Sequence, residues 1–172
     1  MKTKTLFILF LFIFFNCKKE NETTPLLNQE VLFEVGFINY AWFFEHHGAL
    51  IDSAGKVWHY DKPVNWHFPT NGYISSTDMK ENIQKLDASN YTINKDSLIK
   101  YFVKLKKAAI GEISEPINRG NDIGYFFWLG YIYDSKTGMY KEIILKVTGD
   151  TYIENKSVEA KEIYKWLNCL KD

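Results

Sequence analysis

From Val31 onward the apolar positions alternate with a period of two, Phe33, Val35 and Phe37 on one side and Leu32, Ile38 and Tyr40 on the other. Both sides carry apolar groups, which predicts a strand covered on both faces within 31–45, with Gly36 as a bulge. Residues 49–52 and 56–61 flank Ser53-Ala54-Gly55. That spacing predicts a hairpin with a type I turn from Asp52 and Gly55 in the left-handed position. Pro63, Pro69, Asn71-Gly72 and Ser75-Ser76 then mark a loop. Thr77 or Asp78 begins a short helix, with Glu81 placed for a capping box and Met79, Ile83 and Leu86 on one face. A second helix begins at Asn94, with Leu98, Phe102, Leu105 and Ala109 on its apolar face and Gly111 as its terminating glycine. Residues 124–134 and 139–148 predict another hairpin, turning through 135–138. The last helix starts near Ser157, with Ala160, Ile163, Leu167 and Leu170 facing inward.

The expected order is β-β-β-α-α-β-β-α. Strands joined by hairpins, with the helices segregated from them, predict an α+β fold with an antiparallel sheet of about four to five strands, two hairpins plus an N-terminal strand, and three helices. Residues 30–172 are expected to form a single globular domain.

The N-terminus follows a different pattern. Lys2 and Lys4 precede an unbroken apolar run over residues 6–15, and Asn16-Cys17 follows at once. Ten apolar residues are too few to span a hydrocarbon core of about 30 Å, so the run predicts a signal segment and not a membrane-spanning helix. This arrangement resembles the lipobox of bacterial lipoproteins, although Phe14-Phe15-Asn16 stand where the common box has Leu, a small residue and then Gly or Ala. The resemblance implies a signal peptide over 1–16 and cleavage just before Cys17. It also implies lipidation of Cys17 and a place in the bacterial cell envelope, with the outer membrane the expected site. Residues 17–29 are mostly polar, with Pro25 to interrupt any regular element, and predict a tether between lipid and domain.

Composition excludes several functions. The chain has 21 Lys plus Arg against 21 Asp plus Glu, and loss of Lys2 and Lys4 with the leader leaves a slight acidic excess. Neither a nucleic acid nor an anionic lipid surface would hold such a domain by charge. Cys17 and Cys169 are its two cysteines; with one acylated, no disulfide staples the fold. Cys169 is expected as a partly buried, inert thiol. Stability must come from apolar burial, for which 17% aromatic residues supply large area.

Four histidines, His46, His47, His59 and His67, fall close together beside Glu45 and Asp61. A hairpin pairing His47 with Asp61 places His59 one diagonal away on the same face, within reach of a zinc ion. No HExxH, HxH or CxxC motif accompanies them, and no GxSxG supports a serine hydrolase. In the second hairpin, pairing Asp134 with Met139 assigns Phe126, Trp128, Ile143, Leu145 and Val147 to a core face. The other face then carries Tyr125, Phe127, Leu129, Tyr131, Tyr133, Tyr140 and Ile144, with Glu142 and Lys146 as its charges. Either helices cover that aromatic face or it meets a partner or an amphipathic ligand. Trp66 predicts an aromatic lip or a core plug. Arg119, the one arginine of the chain, either binds an anion or closes its own loop against Asp122 or Glu115.

The preferred expectation is a lipid-anchored, non-catalytic binding module with no cofactor, whose partner is a protein or a small amphipathic ligand. An immunity or inhibitor lipoprotein directed at a toxin is one alternative. A small metal-dependent hydrolase using His47, His59 and Asp61 is the other.

Overall fold

The computed structural model describes residues 28–41 and 43–170. The expected signal segment, Cys17 and nearly all of the tether lie outside the described residues. Among the described residues are nine strands and three helices, and no helix is long and apolar enough to cross a membrane. The fold is α+β with an antiparallel sheet, as the hairpin pattern implies.

The strands are β1 (Val31–Asn39), β2 (Glu45–Asp52), β3 (Lys56–Asp61), β4 (Tyr73–Ser75), β5 (Asp87–Thr92), β6 (Ile117–Asn118), β7 (Tyr125–Asp134), β8 (Met139–Gly149) and β9 (Thr151–Glu154). The helices are α1 (Ser76–Ile83), α2 (Lys95–Ala108) and α3 (Val158–Asn168). Strand order across the sheet is β5-β3-β2-β1-β7-β8-β9-β6, with β4 paired to β8 beside β9. The expected count of four to five strands is too low, and the expected order omits β4, β5, β6 and β9. Three of these run for four residues or fewer, and β5 is almost wholly exposed at the sheet edge. A strand that short, or that wet, carries no apolar alternation to find.

Both hairpin turns form as their residues dictate. Gly55 has φ 87° and donates to the Asp52 carbonyl at 3.1 Å, and Asp52 Oδ1 accepts from Ala54 and Lys56. His47 pairs with Asp61 and Ala49 with His59, the expected register. The second hairpin begins as expected, Asp134 opposite Met139, but its register shifts between Leu129 and Trp128. Beyond the shift Trp128 pairs with Lys146 and Phe127 with Val147. One extra residue reverses every later side chain, so Val147 leaves the expected core face and packs beside Phe127. Phe126, also expected in the core, is 40% exposed against the Phe37 ring. In β1 the irregularity lies between Val31 and Phe33; Gly36 pairs regularly with Gly48 and makes no bulge. Leu32 therefore joins Phe33 and Val35 in one cluster.

Helix boundaries follow their caps with two corrections. Ser75, not Thr77 or Asp78, caps α1; its hydroxyl accepts from the Asp78 amide at 3.0 Å and donates to the Asp78 carboxylate at 2.8 Å. Strand β4 thus runs straight into the helix. Helix α2 starts at Asn94 as expected but ends on Ala109 in right-handed conformation, and Gly111 supplies no left-handed cap. Ser157 caps α3.

Helices α2 and α3 cover one face of the sheet, bringing Leu98, Leu105, Ile163 and Leu167 onto Phe33, Trp128 and Leu145. The opposite face is covered by residues 62–86, a loop followed by β4 and α1. There Ile74 and Met79 pack on Ile38, Leu50, Phe127 and Tyr131. The aromatic face of the second hairpin is therefore covered, mostly by a loop, and the alternative of an exposed patch is corrected: Phe127, Tyr131 and Tyr140 are buried.

Candidate functional site

The site begins with a charge inside a covered strand. Glu34 sits in β1 between Phe33 and Val35, pairs with Leu129 of β7, and is 4% exposed. Burying a carboxylate is costly unless donors meet it, and two phenols do. Tyr60 Oη donates to Oε1 at 2.6 Å and Tyr131 Oη to Oε2 at 2.5 Å. Tyr60 reaches across two strands because Gly48 and Gly36 lie under it. A Cβ on Gly48 would stand 2.5 Å from the Tyr60 hydroxyl oxygen, and one on Gly36 2.7 Å from it. Burial pushes the Glu34 carboxyl above its ordinary range, against the two phenols, which act to lower it. The Tyr60 and Tyr131 phenols are raised well above 10, by burial first and then by Glu34.

Glu34 opens onto a cavity of about 330 Å³ between the sheet and the 62–86 segment. Tyr125, Phe127 and Tyr131 form its floor, Trp66 and Phe68 part of its cover, and Glu142 stands on its wall. Glu142 belongs to β8 and pairs with Tyr131. Its carboxyl is pushed up to about 7, by burial first and then by Glu34. Among the described residues neither Glu34 nor Glu142 has an ion-pair partner.

The cover is pinned to α1 by polar contacts. Buried Asn82 accepts from the His67 amide at 2.9 Å and donates to the His67 carbonyl at 2.7 Å. His67 Nε2 lies 2.8 Å from Glu81 and Nδ1 3.7 Å from Asp78. These three are the group of metal-capable side chains that meet within 4.8 Å among the described residues. With a carboxylate at each ring nitrogen, His67 serves as a clasp between loop and helix.

Behind the cover lies His46, 0% exposed, with ring centroids 4.9 Å from Tyr60, 5.1 Å from Phe68 and 5.4 Å from Trp66. Neither ring nitrogen has a hydrogen-bond partner among the described residues. Burial, and then the neighbouring His47, lower its pKa to about 4, so the imidazole is neutral at pH 7.

The residues singled out from sequence fall in three places. Trp66, Tyr125, Phe127 and Tyr131 meet around the cavity. Tyr133 and Tyr140 pack against each other outside it, their ring centroids 4.9 Å apart and tilted, and the Tyr140 hydroxyl accepts from the Glu30 amide. His47, His59 and Asp61 share one face in the expected register, but it is the exposed end of the helix-covered face. His47 and His59 border a separate hollow of about 410 Å³ with Phe37 and Leu167, and the three do not form a group within metal-ligating reach of one another. Arg119 lies over the Tyr152 ring at 4.0 Å, not on Asp122 or Glu115. Cys169 is exposed, contrary to expectation, because it caps the end of α3. Sequence reasoning missed Glu34, Tyr60 and the burial of His46; the one available signal was an acid within the otherwise apolar run 31–38. No family model, curated protein or solved structure matches the chain.

Proposed function

We propose that the chain is a cell-envelope lipoprotein, anchored through Cys17, whose domain binds a small amphipathic ligand without turning it over. The observation that carries the binding reading is the cavity of about 330 Å³ beneath Trp66 and Phe68. Ligand sites are typically about 300–1,000 Å³, mostly apolar, with a few convergent polar groups, and this cavity has that make-up. The anchoring reading rests on residues 1–17 alone.

Calorimetric titration with phenylbutanol, an uncharged amphipathic probe, tests the binding. One molecule should bind per chain, and Ile144→Trp, which fills the cavity from β8, should weaken binding at least about tenfold. No binding to the unaltered protein overturns the reading. For the anchor, Cys17→Ser should abolish membrane retention and labelling by a fatty-acid analogue; continued labelling would refute it.

A further inference from the structure

We infer that the cavity takes a small organic cation, a primary or secondary ammonium on an aromatic or alkyl body, with the ammonium at Glu142 and Glu34 and the body against Trp66, Tyr125 and Phe127. This rests on the ligand-binding reading and adds to it the charge of the ligand.

Two carboxylates line one cavity, and among the described residues no Lys, Arg or His pairs with either. The ion pairs that do form lie elsewhere, at His67, Lys104 and Lys156. Glu34 already receives one phenol on each oxygen, yet an ionised carboxylate has about four acceptor positions, so it can take further donors. Glu142 makes no side-chain hydrogen bond among the described residues; the contact formed is through its backbone, which donates to the Gly72 carbonyl at 2.8 Å. All of its acceptor capacity is open to a ligand.

Charge decides among ligand classes. An anion would bring further negative charge into a space where burial already disfavours the ionised form of both carboxyls. A neutral ligand would expel water from the carboxylates and return at most a hydrogen bond, with no compensating charge. An ammonium supplies up to three donors and the missing charge, while Trp66, Tyr125 and Phe127 offer apolar area to its body. The rise of Glu142 to about 7 has the same origin, a buried carboxyl without a counter-charge, and a bound ammonium would reverse it.

The test compares three probes of one shape on the detergent-solubilised full chain at pH 8: phenylbutylammonium, phenylbutanol and phenylbutyrate. The ammonium should bind about tenfold or more tighter than the alcohol, and the carboxylate weakest. Glu142→Gln, nearly isosteric, should shrink the ammonium-to-alcohol ratio several-fold. Equal binding of ammonium and alcohol overturns the inference while the ligand-binding reading stands. Tighter binding of phenylbutyrate, or a ratio unmoved by Glu142→Gln, overturns it as well. If no probe binds the unaltered protein, the ligand-binding reading falls with it. The unaltered protein decides the preference by itself, so the test survives even if the variant does not fold.

Discussion

The two faces of the sheet are built on different principles. On the helix side, α2 and α3 close against the strands with Leu98, Phe102, Leu105, Ile163 and Leu167, all buried and all apolar. A buried polar side chain at that side, Asn155, is fully used, donating to the carbonyls of Ala108 and Ile144. On the loop side the covering segment brings the aromatic side chains Trp66 and Phe68, and the buried groups include Glu34, His46 and Asn82. Packing there is interrupted by a cavity, and two glycines are used to let one tyrosine lie flat. Stability is concentrated where apolar area is buried densely. Chemistry is available where polar groups are buried at some cost and a space is left beside them.

The largest expected effect sharpens that contrast from the helix side. Leu105 is wholly buried against Gly130, and Leu105→Ala should lower stability by about 2–5 kcal/mol. Urea unfolding would measure the loss, and phenylbutanol affinity in the folded protein should not change.

Next, pH should act through the loop side with two opposed slopes. His46 titrates at about 4 in the folded protein and at its ordinary 6.5 when unfolded. Its contribution is fully present above 6.5 and is lost as pH falls through 4, by at most about 3 kcal/mol. Glu142 has its carboxyl raised from 4.5 to about 7. Its contribution is present below 4.5 and is lost as pH rises through 7, again by at most about 3 kcal/mol. Stability measured from pH 4 to 8 should lose its acid-side fall in His46→Phe and its neutral-side fall in Glu142→Gln. If both variants keep the unaltered profile, the titrating groups lie elsewhere.

Tyr60→Phe should cost about 1–3 kcal/mol, because it leaves one oxygen of a buried carboxylate without its donor. Chemical denaturation reads the loss, and ammonium binding should weaken along with it. The smallest effect belongs to a residue outside both faces. Arg119→Ala removes an exposed cation from the Tyr152 ring and should change stability by less than about 1 kcal/mol, with all three probes binding as before.

Legibility in the sequence followed how local each determinant is. Gly55 and Gly138, the caps at Asn94 and Ser157, and the His47–Asp61 register were readable, because turn and cap chemistry involves residues a few positions apart. The bulge near Leu129 was not, and it moved Val147 to the other face, while Phe126 kept its expected face but lies at its exposed end, since a register shift depends on what each strand packs against. Strand β5 escaped notice because an exposed edge imposes no apolar period. Of the site, the aromatics of β7 and Trp66 are legible in the sequence, but Glu34 is one polar residue in an apolar run.

By itself the sequence determined the α+β class, both hairpins, the three helices, and a large supply of aromatic side chains for the core. Each of these follows from periodicity, turn chemistry or composition within a short window. The tertiary structure alone decided that β1 would lie between β2 and β7, bringing Glu34 under Tyr60 and Tyr131, and that residues 62–86 would cover the aromatic face and leave a cavity there. Those arrangements join segments of the chain up to 97 positions apart. The free energy that selects them comes from pairing and burial between distant segments, which leaves no periodic mark on either segment alone.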